Sequence, residues 1–186
     1  MKLRCILGLV LLSAAGVGFA LAAETPSLWI DVPFVAQVKN GCGSAAMAMV
    51  MEYWEKKAGR GAAGAAADAG EIQAALYSPA EEGIPASAMK RYFEGAGYRA
   101  FTFVGDWNEL GHHLERGRPL IVSLKASGPR GPLHYIVVVG IDSARRYIYV
   151  NDPAQQKMLR LSREGFESEW SATQHWTLLA VPRNID

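Results

Sequence analysis

The stretch Gln37-Val38-Lys39-Asn40-Gly41-Cys42-Gly43-Ser44-Ala45-Ala46 decides the reading of this 186-residue chain. A buried structural cysteine normally sits among bulky apolar residues. Cys42 is instead flanked by two glycines, with polar sequence before it and good helix formers after it. The pattern predicts a thiol exposed at a helix N-terminus, where unpaired N–H groups and the helix dipole favour thiolate over thiol. The second cysteine, Cys5, falls in an N-terminal segment expected to be removed. Cys42 is then a lone thiol, and in an exported protein such a thiol is either an intermolecular partner or reactive.

That removal rests on Lys2 and Arg4, the nearly unbroken small and apolar run Ile6 to Leu21, and the cleavage pattern Ala20-Leu21-Ala22. Together they read as a secretory signal over residues 1–23 and predict a periplasmic or secreted protein. An uncleaved anchor is the rival, since the run is near the lower limit for crossing a bilayer. No small-residue lipobox precedes Cys5. Residues 24–186 have the length of one domain, enough for a core without metal or disulfide. The chain carries 19 basic and 18 acidic residues, net +1; loss of Lys2 and Arg4 makes it −1. Near neutrality without a basic stripe gives no footprint for nucleic acid. No later run is long enough for membrane insertion after signal cleavage.

Trp29 to Val35 is extended, because Pro33 forbids a helix there. Gly43 to Lys57 is helical, with Ala45, Ala46, Met49, Val50, Tyr53 and Trp54 at helical spacing. Met47, Met49 and Met51 alternate, so they cannot share a helix face; they divide between core and surface and form no metal site. Residues 58–70 are low in complexity and are expected as a flexible surface connection. Short helices come next at 71–76 and 85–94, the second with Pro85 in its first turn. Residues 98–104 read as a strand, and Asp106-Trp107-Asn108-Glu109 as a capping box opening a helix that ends before Gly117. Strands are expected at 119–125, 133–141, 147–151, 158–161 and 175–181, with Ser162 capping a short helix. Helices come first and strands dominate later. That order predicts an α+β fold, N-terminal helices packed on a mostly antiparallel sheet.

A thiolate nucleophile needs a base, usually an imidazole oriented by a third polar group. His112 and His113 are adjacent on a predicted surface helix, outside any HExxH pattern, and read as solvated. His175 begins the last strand and reads as capping or packing. His134 opens the apolar strand His134 to Gly140 just after a Gly/Pro loop, where a polar ring lies at the edge of the core. The bland alternative is a ring merely satisfied at a strand start. The polar turn Ile141 to Arg146 predicts a hairpin placing His134 opposite Asp152 or its immediate neighbours, within about 5 Å between Cβ atoms. Asp152 is followed by Pro153, so a turn-forming Asp-Pro is its bland reading. Asn151 competes as third member but faces the other side of a regular strand. Asp152 is preferred. Gln37, five residues before the thiol, has an amide that can join the Cys42 backbone N–H at a developing oxyanion.

The segments VPFVAQVKNGCGSAAMAMVMEYW, WNELGHHLERGRPLIVSL, LHYIVVVGID and YIYVNDPA together resemble the papain-like peptidase domains of the bacteriocin leader (double-glycine) peptidase family. The resemblance spans about Trp29 to Pro182. It implies a papain-like cysteine peptidase fold, a nucleophilic cysteine at Cys42, a histidine base at His134, an orienting aspartate at Asp152 and an oxyanion glutamine at Gln37. It implies a peptide or protein substrate, and no cofactor or metal is expected. The best-known members are cytosolic domains of ABC exporters that cut after Gly-Gly. Here the sequence shows an export signal and neither a transporter segment nor a P-loop, so a stand-alone exported member is expected and double-glycine specificity is not carried over. Two other readings stay open: a non-catalytic peptide-binding module on the same fold, and a thiol enzyme that transfers the acyl group to an amine or cleaves a cell-wall amide. Hydrolysis and transfer share one intermediate, so residue types do not separate them.

Overall fold

The Ala- and Met-rich run after Gly41 forms helix α1, Cys42–Lys57. Strong helix formers sustain it, and Lys56 and Lys57 in its last turn suit the negative end of the dipole. A computed structural model describes residues 28–60, 64–125 and 131–184; the expected signal lies outside them. Every residue of α1 from Gly43 to Met51 is buried. Met47, Met49 and Met51 therefore all enter the core, none reaching the surface. The sequence pattern assumed a one-sided helix, whereas α1 packs on the sheet and on helix α2, Ala69–Leu76, at once.

Of the stretch 58–70, expected as a flexible connection, residues 61–63 lie outside the described residues and residues 64–70 are structured. Ala65–Ala67 form a short 3-10 turn, and Ala67 is buried. Asp68 then caps α2, its Oδ1 accepting from Gly70 N–H at 2.8 Å and Glu71 N–H at 3.0 Å. The cap starts α2 two residues before Glu71. Helix α3, Ala86–Gly95, comes next, and buried Met89 and Phe93 join the same core as α1 and Ile72.

The strands are β1 (Leu28–Trp29), β2 (Tyr98–Val104), β3 (Leu120–Lys125), β4 (Leu133–Asp142), β5 (Tyr147–Asn151), β6 (Leu159–Ser162) and β7 (Trp176–Pro182). They form one sheet in the order β2-β7-β3-β4-β5-β6, with β1 also paired to β4, and each pairing is antiparallel. Helices α4 (Trp107–Glu115) and α5 (Arg163–Ser171) contribute Leu110, Leu114, Phe166 and Trp170 to a second core with Leu120, Val122, Ile136, Val138 and Val150. The first core holds Ile121, Val137 and Val139 against α1 and α3. With both faces covered, β3 and β4 read as continuous apolar runs rather than alternating ones. Asp106 and Glu109 make the expected capping box of α4, and Ser162 caps α5 through Gly165 N–H.

Two features of β4 set how its neighbours lie against it. Gly140 has no room for a side chain, because a Cβ there would lie 2.9 Å from Leu28 O. A β-bulge between Val138 and Gly140 shifts the β4–β5 register, so that Val137 faces Asn151.

Candidate active site

The chain enters α1 through a tight reversal. Gly41 N–H donates to Val38 O at 2.9 Å, Asn40 takes a left-handed φ of 57°, and Ala45 N–H donates to Gly41 O at 3.0 Å. Gly41 brings no side-chain cap to the helix, which leaves first-turn N–H groups open toward Cys42. Gly43 packs closely: a Cβ there would meet Ile84 Cβ at a tight 3.2 Å and the Tyr135 ring at 3.5 Å. The two glycines around the thiol thus let loop, helix and β4 meet closely.

Gln37, Cys42, His134 and Asp152 all line one cavity of about 750 Å³. His134 Nε2 lies 2.7 Å from Asp152 Oδ1, leaving Nδ1 as the ring nitrogen for the thiol, with which His134 shares a hydrogen bond. The contact with Asp152 is not between directly opposed residues. The bulge puts Asp152 one residue beyond the Val137–Asn151 pair and His134 three beyond it, so the two side chains meet diagonally on the same face. Asn151 points to the other face, as a regular strand requires. Its Nδ2 donates to Val32 O at 3.2 Å and Pro33 O at 3.3 Å, and its Oδ1 accepts from Met158 N–H at 3.0 Å.

Burial pushes the Cys42 thiol up, but the bond to His134, the Tyr135 backbone N–H, the charge of His134 and the Gly43 N–H together hold it below its ordinary value. Burial likewise pushes His134 down, yet the bonds to Asp152 and Cys42 and their charges raise it to about 9. Asp152 is raised by burial and lowered more by His134, Ala154 N–H and Gln155, ending below the usual carboxylate range. All three directions favour a thiolate–imidazolium–carboxylate array.

Gln37 N–H donates to Pro153 O at 2.9 Å, which fixes its backbone beside Asp152. Its Oε1 is buried without a hydrogen-bond partner among the described residues, and the residue lines the cavity.

The remaining histidines stand apart from the cavity. His113 is half-buried against the Phe103 ring at 5.9 Å, and burial lowers its pKa; it is not the solvated surface residue expected. The outer face of α4 is closed there by Phe103 of the edge strand β2. His175 packs edge-on to Trp170 at 4.7 Å and meets Glu167 at 3.1 Å, in keeping with a packing role.

Sequence reasoning missed Gln155, whose Nε2 donates to Asp152 Oδ2 at 2.6 Å. Only the proximity of a polar Ala-Gln-Gln run to Asp-Pro hinted at it. It also missed the wall formed by Gly83, Ile84 and Pro85, which the turn closed by the Ser78–Gly83 bridge carries to the cavity.

Known proteins share this arrangement of helices and sheet. No curated protein matches the chain. Among solved structures, the peptidase domain of Streptococcus ComA, a bifunctional ABC transporter involved in quorum sensing, is 21% identical with a TM-score of 0.63, covering 82% of this chain and 100% of that one. A putative C39-like peptidase from Bacillus anthracis is 17% identical with a TM-score of 0.60, over 86% of this chain and 99% of that one. A double-glycine motif protease from an AMS/PCAT transporter, solved with its leader peptide, is 19% identical with a TM-score of 0.60, over 84% and 95%. At these identities the likeness shows a shared papain-like fold. The Peptidase_C39 like family matches residues 29–177, from the β1 end of the chain into β7. The chain therefore belongs to that family, and is a cysteine peptidase.

Proposed function

We propose that this chain is an exported peptidase that hydrolyses peptide bonds through Cys42, His134 and Asp152, with Gln37 as oxyanion donor. The observation that carries the reading is His134, bonded through Nε2 to Asp152 at 2.7 Å and sharing a hydrogen bond with Cys42 in one cavity. The Cys42 thiolate attacks the scissile carbonyl carbon. Charge developing on the carbonyl oxygen is met by the Gln37 Nε2–H and the Cys42 backbone N–H. The His134 imidazolium then gives its proton to the leaving nitrogen, the C–N bond breaks, and a thioester remains on Cys42. His134, now neutral, takes a proton from water, whose oxygen attacks the thioester; the C–S bond breaks, the acid product leaves and the Cys42 thiolate returns beside the His134 imidazolium. Asp152 holds the ring and stabilises its cationic form throughout. No metal or cofactor enters these steps.

Labelling the mature protein with a thiol-directed activity probe, followed by profiling on a peptide library, tests this. A bond preference is expected as well. The cavity is lined by Glu81, Glu82 and Glu169, with no lysine or arginine among its described lining residues, and by apolar Ile84, Pro85 and Leu133. A long basic side chain lays its stem on such apolar surface and its head toward the carboxylates. Peptides with lysine near the scissile bond should show kcat/KM several-fold above norleucine analogues. The advantage should shrink with added salt, since Glu81 and Glu82 are exposed. Equal rates for both peptides would remove the preference and leave the hydrolysis.

Export belongs to the same proposal: residues 1–23 act as the signal and 24–186 remain as the mature enzyme. N-terminal sequencing of the exported protein should begin at Ala23 or Glu24. An intact Met1 in the membrane fraction would make the enzyme tethered instead.

A further inference from the structure

The turn after β5 holds more of the site than Asp152 alone. Asp152 Oδ1 accepts from both His134 Nε2 at 2.7 Å and Ala154 N–H at 2.9 Å. Oδ2 accepts from Gln155 Nε2 at 2.6 Å. The backbone closes around them, with Gln155 N–H donating to Asp152 O at 2.9 Å and Asp152 N–H to Gln156 O at 3.1 Å. Pro153 O, in the same turn, is the acceptor for Gln37 N–H. One five-residue turn thereby fixes both the carboxylate that meets the imidazole and the backbone that carries the oxyanion amide.

Within that turn Gln155 has a particular task. A carboxylate anchored only through Oδ1 is free to rotate about its Cβ–Cγ bond and to offer either oxygen to the ring. A donor on Oδ2 removes that freedom. Gln155 is itself exposed, on the cavity rim, so its side chain is not needed to fill the core. We propose that Gln155 is a positioning residue: its Nε2–H locks the plane of the Asp152 carboxylate so that Oδ1 meets His134 Nε2, and thereby aims the other ring nitrogen at Cys42. The turnover consequences rest on the proposed peptidase activity; the effect on Cys42 itself does not.

Three mature proteins, wild type, Gln155→Ala and Gln155→Glu, are compared for kcat and KM on one peptide and for the rate at which iodoacetamide alkylates Cys42, each across pH. Gln155→Ala should lower kcat by about 10-fold at every pH, because a small misplacement of the base is costly, while KM stays within about two-fold. Gln155→Glu sets a second carboxyl against Oδ2, and two carboxyls in contact share a proton. At low pH the protonated Glu still donates to Oδ2; at higher pH it repels. Its deficit relative to wild type should therefore shrink as pH falls from about 8 to about 5. A purely structural role would move the melting temperature without giving that pH dependence.

Unchanged kcat in Gln155→Ala, or a deficit in Gln155→Glu that is flat with pH, overturns the proposal. Alkylation separates its failure from that of the peptidase activity. If wild type cuts no peptide but Cys42 is alkylated more slowly in Gln155→Ala, the clamp stands and the peptidase activity falls. If alkylation is identical in all three proteins, the clamp falls even where peptides are cut.

Discussion

Cys42→Ala is expected to abolish peptide hydrolysis, a loss on the order of 10⁴-fold or more, with the fold intact. Alanine is the best helix former, and the change removes only a sulfur at the start of α1. His134→Ala should be nearly as severe, because the thiol loses its base and its charge partner together. Gln37→Ala should lower the rate by about 100-fold with substrate affinity nearly unchanged, since an oxyanion donor acts on the transition state. The backbone bond from Gln37 to Pro153 survives that substitution, so the loss reports the carboxamide. Asp152→Asn should be milder than Cys42→Ala or His134→Ala, as an amide oxygen can still accept from Nε2. Asn151→Ala should leave the chemistry in place and cost about 2 kcal/mol of stability, read from a urea midpoint. That loss stems from the Val32, Pro33 and Met158 backbone groups it would leave unpaired. Inactivation by Asn151→Ala without effect of Asp152→Asn would put the third member on Asn151. Full activity in Cys42→Ala would discard the mechanism.

Much of this fold was legible because local and tertiary signals agreed. Strand β2 was bounded correctly by the apolar run between Gly97 and Gly105, and α4 by its capping box. Helix α1 was legible as a helix but not as a buried one. Its alternating methionines look wrong for one face, and only the sheet and α2 together explain why all three are buried. Asp68 was a cap hidden in alanine-rich sequence, so the start of α2 was missed. The bulge at Val139 has no marker beyond Gly140. The expected meeting of His134 and Asp152 is present, but by a diagonal contact rather than the direct opposition assumed. Cys42, His134 and Asp152 stood out in the chain because each sits at the start or end of an element, where polar residues interrupt apolar runs. Gln37 lies in the irregular segment between β1 and α1 and was singled out only by its place five residues before Cys42. Gln155 could not be named, since its bond to Asp152 depends on a turn geometry that no spacing encodes.

The strongest pH dependence should come from the Cys42–His134 pair, which titrates as a unit. Although burial opposes both charges, the bond to His134 and the neighbouring N–H groups take Cys42 below its ordinary value, and Asp152 and Cys42 lift His134 to about 9. As pH falls through the lowered thiol value, the thiolate is protonated and the rate drops. As pH rises through about 9, the imidazolium loses the proton that the leaving nitrogen needs. Activity should form a plateau between these limbs, with the alkaline one absent from alkylation, which requires only thiolate.

The most direct measurement is therefore the rate of iodoacetamide alkylation of Cys42 at pH 6, set against free cysteine and against His134→Ala. A rate well above free cysteine, falling toward it in His134→Ala, is the expected result. A rate equal to free cysteine, or protection of Cys42 until the protein unfolds, would contradict an activated thiolate and leave a structural thiol in its place.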